Sequence, residues 1–220
     1  MNQYVFFAGA PGSKWSSVVK NIYWSDDFDH SDYSEERTYY HDADTPGYPQ
    51  LMHLGAYWDP GMEFGNHWWD FGDYSKDELQ RDYDAPFGEK SSARRIIKSH
   101  IFCSHLPKIS RLWDGMPIVM VYRNDYECLE WWKRCGEFKI TYPSYERYYQ
   151  NLDHMRDQIE IQNQNIMGFI HDHSDNTKRV WSNVDLAREL GIRLNAQQRS
   201  PRNLHDYQEK DIQVYVYQPK

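Results

Sequence analysis

Three short stretches hold residue types whose spacing suits an anion pocket with a proton-moving group beside it. In the first, "FFAGAPGSKWSSVVKNI", a strand-like run over Tyr4–Ala10 empties into Pro11-Gly12-Ser13-Lys14. Helical spacing then places Trp15, Val18, Val19 and Ile22 on one face. Strand, glycine-bearing loop and helix start, in that order, aim successive backbone N–H groups at one spot and add the positive end of a helix. Such a loop suits a phosphate or a sulfate. The second stretch, "IIKSHIFCSHLPKI", releases Lys98, Ser99 and His100 from the end of an apolar strand, which in a parallel sheet stands beside the loop of a neighbouring strand. A histidine there can move protons, or it can simply be satisfied at a strand end. The third, "VMVYRNDYECLEWW", ends a strand at Tyr122 and sets Arg123 and Asn124 ahead of an acidic helix start.

The elements that must position these residues can be read from periodicity. Tyr4–Ala10, Arg94–Ser99, Pro117–Tyr122 and Lys178–Trp181 read as buried strands, each followed by a helical pattern, which predicts an α/β fold with a parallel sheet and helices on both faces. The longest helix is expected between Ser144 and Ile170, where Tyr145, Tyr148, Leu152, Met155, Ile159, Ile166 and Phe169 form a packing stripe, and a shorter one over Val184–Leu190 ends at Gly191. The tail "DIQVYVYQ" alternates and reads as an edge strand or hairpin arm. Trp24–Lys90 differs in kind, with 15 aromatic residues, scattered Gly and Pro, and no sustained period. A connection that long is either a surface insertion packed down by its own rings or an acceptor-binding wall.

Composition narrows the function classes. The 220 residues, 40% of them hydrophobic, suffice for one core, so residues 1–220 read as a single domain with 24–90 as its insertion. The net charge of −8 is unevenly spread: residues 24–90 hold 17 acidic side chains against 4 basic, and the remainder 16 against 21. That balance disfavours a broad nucleic-acid surface but allows a compact anion pocket outside the insertion. No apolar run approaches the length of a membrane span, and Met1 leads straight into a strand without a signal core. The odd set Cys103, Cys128 and Cys135 lacks the paired spacing of a zinc or redox site, which suits a reducing cytosol and a cytoplasmic protein. His171-Asp172-His173 could ligate a metal, but three polar residues at a helix end are ordinarily solvated. No serine sits in a Gly-x-Ser-x-Gly elbow, so a Ser-His-Asp hydrolase has no support.

A nucleoside triphosphatase loop of the Walker type needs a Gly before its Lys and a hydroxyl after it for Mg²⁺. Here Ser13 precedes Lys14 and Trp15 follows it, which disfavours an ATPase or kinase. The stretch Pro11-Gly12-Ser13-Lys14-Trp15-Ser16-Ser17 instead resembles the Pro-Lys/Arg-Ser-Gly-Thr-Thr loop of the sulfotransferase family. Lys98-Ser99-His100 is similar to that family's Lys-Thr-His, and Tyr122-Arg123-Asn124 with its acidic helix start to its Arg-Asn-Pro-x-Asp motif. "NVDLARELGI" resembles its segment ending in Leu-Gly-Ile. The order of the motifs agrees as well.

The resemblance implies a three-layer, P-loop-like sulfotransferase fold and 3′-phosphoadenosine 5′-phosphosulfate as sulfuryl donor, without metal. It makes His100 the general base, gives Lys14 and Lys98 the 5′ end together with the loop from Pro11 to Ser17, and gives Arg123 the 3′-phosphate. The charge of the insertion points to a small neutral or cationic acceptor, a sugar or phenolic hydroxyl or an amine. Departures from the pattern are specific. The family's loop cation falls at Gly12, its second 3′-phosphate ligand, a serine, falls at Trp131, and its C-terminal Arg-Lys-Gly is missing, with Arg199 and Arg202 as candidate substitutes. Two other readings stay open: a nucleotide kinase or NTPase with a degenerate loop, and a non-catalytic sugar- or partner-binding protein.

Overall fold

β1 (Tyr4–Gly9) is buried along its whole length, as an apolar run without alternation must be when both faces of its sheet are covered. The computed structural model describes residues 3–33, 38–40, 50–52, 54–58, 70–88, 92–140, 145, 149–195 and 212–219. After β1 come α1 (Trp15–Tyr23), β2 (Thr38–Tyr40), β3 (Gln50–Met52), β4 (Ala56–Tyr57), α2 (Lys76–Asp84), β5 (Arg95–Lys98) and α3 (Phe102–Leu112). The chain continues through β6 (Ile118–Arg123), α4 (Asp125–Arg134), α5 (Leu152–Asp172), β7 (Thr177–Val180), α6 (Asn183–Leu190) and β8 (Ile212–Tyr217). Six strands form one sheet in the order β4-β5-β1-β6-β8-β7, and β2 pairs with β3 in a separate antiparallel ladder.

β4, β5, β1 and β6 run parallel, with Phe6 in register with Ile97 on one side and Ile118 on the other. β8 runs antiparallel to both β6 and β7, so the sheet is mixed rather than wholly parallel. The C-terminal tail is therefore an interior strand and not an edge. Its alternation reports which side chains face a core, since Ile212, Val214 and Val216 are buried while Gln213 and Tyr215 are half-buried, and says nothing of what pairs along its backbone. The edge on that side is β7, where Lys178 and Arg179 are exposed, as charged residues that blunt an edge should be.

Two core layers flank the sheet. Val5 and Phe7 pack with α1 and α6 residues such as Val18, Ile22 and Leu186, while Tyr4, Phe6 and Ala8 pack with α2, α3, α4 and α5 through Leu79, Leu106, Trp132 and Ile159. The three cysteines are buried thiols outside any disulfide, and Cys103, Cys128 and Cys135 all belong to the second layer. Among the described residues no helix is long and apolar enough to cross a membrane.

The 24–90 segment contains more regular structure than its composition predicts. Besides the β2–β3 ladder it supplies the edge strand β4, and α2 begins with a full capping box in which Ser75 and Glu78 satisfy each other's backbone N–H groups. It is fastened to the N-terminal edge of the sheet through Arg95. That guanidinium, nearly fully buried, pairs with Asp29 at 3.3 Å and Asp84 at 2.6 Å, and the Tyr4 hydroxyl also donates to Asp84 at 2.6 Å. Burial pushes the Asp29 carboxyl up, but the hydroxyl and N–H of Ser31 together with Arg95 outweigh it and hold the group below the usual carboxylate range.

A carboxylate depressed in the folded state contributes stability that is complete above its unfolded value and is lost as pH falls through the folded one. Stability against urea is therefore expected to fall as pH drops below about 4, and Asp29→Asn should flatten that acid limb while lowering stability at neutral pH. An Asp29→Asn protein with the parent's acid limb would remove Asp29 from the account.

Candidate functional site

The turn after β1 is built by close approach. A Cβ on Gly9 would lie 2.6 Å from the Ser13 Oγ, and the Ser13 N–H donates back to the Ala10 carbonyl at 3.0 Å. Gly12 has φ of 80°, and a Cβ there would fall 1.9 Å from the Cys128 carbonyl oxygen, so only glycine lets the loop rest on α4. Lys14 caps α1 in the left-handed region with φ of 63°, a conformation that costs a β-substituted residue about 1–2 kcal/mol. Pro11 and Trp15 are buried, and Ser16 and Ser17 in the first turn of α1 are partly exposed. The Ser13 side chain is fully buried, and its hydroxyl has no hydrogen-bond partner among the described residues. A buried, unmet hydroxyl just before a helix N-terminus is what an incoming oxyanion would satisfy.

On the β5 side of this loop stand Lys98 and His100. The His100 ring is 2% exposed, stacks on Trp15 at 4.3 Å with an interplanar angle of 21°, and meets Tyr57 edge-on at 5.9 Å. Its Nδ1 bonds the Gly9 carbonyl oxygen. A carbonyl can only accept, so Nδ1 carries the hydrogen and Nε2 is left as the basic nitrogen of the neutral ring. The Tyr145 hydroxyl lies 3.4 Å from Nε2. Lys98, at the end of β5, is fully buried, with its Nζ 4.8 Å from the centroid of the Tyr57 ring and 5.9 Å from that of Trp15. Ser99 turns away and donates to the Trp58 carbonyl.

The β6 side is the cationic one. Arg123 ends β6 with a guanidinium that donates to the Gly12 carbonyl at 3.2 Å and pairs with Glu127 at 3.4 Å. Lys14 Nζ sits 4.1 Å above the Trp131 ring, which Arg134 also covers at 5.3 Å and Arg123 at 5.9 Å. Buried beside them, the Cys135 thiol is pushed up to about 12 by desolvation against the pull of Arg134, Lys14 and Arg123, which leaves it an inert thiol.

The residues singled out in the sequence thus gather at the C-terminal ends of β1, β5 and β6, in two groups separated by the loop. Trp15, Lys98 and His100 form one. Lys14 and Arg123 form the other, so the two lysines do not converge on one point. Sequence reasoning missed Tyr57 and Tyr145 around His100, and Arg134 beside Trp131. Arg199 and Arg202 lie outside the described residues. His173 turns onto Phe169, stacking at 4.1 Å, and among the described residues no cluster of three His, Cys, Asp or Glu could hold a metal.

No family model matches this chain, and neither a curated protein nor a solved structure matches it. The site's own geometry therefore carries the functional argument.

Proposed function

We propose that the protein is a sulfotransferase-like enzyme that moves a sulfuryl group from 3′-phosphoadenosine 5′-phosphosulfate to a hydroxyl or amine of a small neutral or cationic acceptor. The observation that carries this reading is the orientation of His100, whose Nδ1 is committed to the backbone of the anion loop itself and whose Nε2 is thereby the basic nitrogen. In the transfer, the acceptor O–H gives its proton to Nε2, an O–S bond forms, and the S–O bond to the 5′-phosphate breaks in line, releasing adenosine 3′,5′-bisphosphate. The bridging oxygen gains charge as it leaves. Loop N–H groups, the Ser13, Ser16 and Ser17 hydroxyls and the Lys98 ammonium are the groups available to stabilise it. Lys14, Arg123 and Arg134 give the opposite side of the loop a positive field suited to the rest of a bisphosphate donor.

Nucleotide preference separates this reading from its rivals. Adenosine 3′,5′-bisphosphate is expected to bind more tightly than ATP, and to bind equally with Mg²⁺ or with a chelator, in calorimetric titrations of the parent protein. Kinase and NTPase sites lose most ATP affinity without the ion. Tighter binding of Mg·ATP would replace the proposal with a kinase. Binding of neither nucleotide would favour a non-catalytic role.

A further inference from the structure

The resemblance gives Arg123 to a phosphate on the ribose, but its guanidinium is turned inward. We propose that Arg123 is a positioning residue for the anion loop, fixing the Gly12 carbonyl against α4 and with it the N–H groups of Lys14 to Ser16, so that it serves every ligand of the loop. The inference rests on reading Gly9–Ser17 as an oxyanion site.

Four observations converge on it. Arg123 is 5% exposed and donates to the Gly12 oxygen at 3.2 Å, while Glu127 at 3.4 Å holds the other end of the fork. Its own backbone is anchored independently, since the Arg123 carbonyl accepts from the Asn163 amide at 2.8 Å and from the Cys128 thiol. Asn163 is itself buried and also donates to Asp125 at 2.6 Å, tying α5 to the start of α4. Gly12 sits so close to the Cys128 carbonyl that a methyl group could not be inserted, so the loop is pressed onto α4 at the residue that Arg123 grips.

The chemistry of the contact matters as much as its geometry. Gly12 has φ of 80°, so its peptide carbonyl is turned out of the ordinary strand direction and needs a donor of its own. A guanidinium supplies one and adds a charge-assisted bond. Without it the carbonyl is freed, the peptide can rotate, and the N–H groups that follow lose their common aim. A loop whose donors must already point at the oxyanion gains affinity from being held in that shape before the ligand arrives.

Arg134 provides the control, because it places a like charge over the same Trp131 ring at 5.3 Å but has no bond to the loop among those described. Binding of pyrophosphate, adenosine 5′-monophosphate and adenosine 3′,5′-bisphosphate is measured for the parent, Arg123→Ala, Arg134→Ala, Gly12→Ala and the Arg123→Ala/Gly12→Ala pair. Arg123→Ala is expected to weaken all three ligands by about tenfold or more and to similar extents, whereas Arg134→Ala weakens the bisphosphate most. Gly12→Ala should mimic Arg123→Ala, and the pair should lose less than the two single losses combined, because both undock one loop. Arg123→Lys, which keeps one donor, should recover part of the affinity.

Amide hydrogen exchange reads the clamp without any ligand. In unliganded Arg123→Ala the Ser13 and Ser17 amides, bonded in the parent to the Ala10 and Lys14 carbonyls at 3.0 Å each, should exchange faster while the β1 amides keep the parent rate. Parent exchange rates at both loop amides would overturn the clamp even if no ligand bound. A loss confined to the bisphosphate would overturn it in favour of a ribose-phosphate role. If the parent binds none of the three ligands while the loop amides do loosen, the oxyanion reading of the loop falls, and with it the role of Arg123 in ligand binding, leaving only a structural clamp.

Discussion

His100→Ala is expected to lower sulfuryl transfer by about two to four orders of magnitude, the usual cost of removing a general base, while changing the affinity for adenosine 3′,5′-bisphosphate little. The two halves of this expectation come from different atoms. The proposed proton acceptor is Nε2, which is lost outright. The nucleotide contacts proposed for the loop lie on the far side of Gly9, and the loop keeps its own bonds through Ser13 and Arg123. Removing the ring also leaves the Gly9 carbonyl and the Trp15 face exposed to a cavity, so thermal stability should drop by a measurable amount. His100→Gln separates the effects, since an amide can still donate to the Gly9 carbonyl but cannot take a proton at neutral pH. It should recover stability without recovering turnover. Transfer at the parent rate in both variants would remove His100 from the chemistry.

The sequence made some parts of this site legible and hid others for physical reasons. β1, β5, β6 and β7 were readable to within one or two residues because each is a short β-forming run bounded by breakers, and burial on both faces suppresses the ambiguity of alternation in the first three. β4 was invisible, since two residues, Ala56 and Tyr57, cannot show a period, and yet this strand brings Tyr57 to His100. α2 buries only Leu79 and Tyr83 along nine residues, too thin a stripe to stand out from an acidic background. Its capping box, Ser75 and Glu78 three apart, was nevertheless present to be read. The direction of Lys14 was not readable at all. A left-handed backbone at a residue other than glycine is set by the loop's contacts with α4, and it carries the side chain to Trp131 rather than toward Lys98. Tyr145 lies 45 residues beyond His100 and looked like one more member of a packing stripe.

Lys98→Met is expected to reduce transfer by about a hundred- to a thousandfold, the scale on which loss of one preorganised charge-stabilising donor acts, in a protein that still folds. Both halves follow from where the ammonium sits. Lys98 is fully buried at the end of β5, against the Tyr57 and Trp15 rings, so folding must strip water from a charge. Its contact with the rings contributes about 0.5–2 kcal/mol. Methionine keeps the length and aliphatic packing of the lysine stem without the charge, and polarisable sulfur is at home against aromatic rings. Circular dichroism melts and single-turnover transfer, measured on one preparation, test both halves together. A melting temperature well below the parent's with transfer intact would make Lys98 a packing residue, and the positive charge for the leaving oxygen would then have to come from the loop alone.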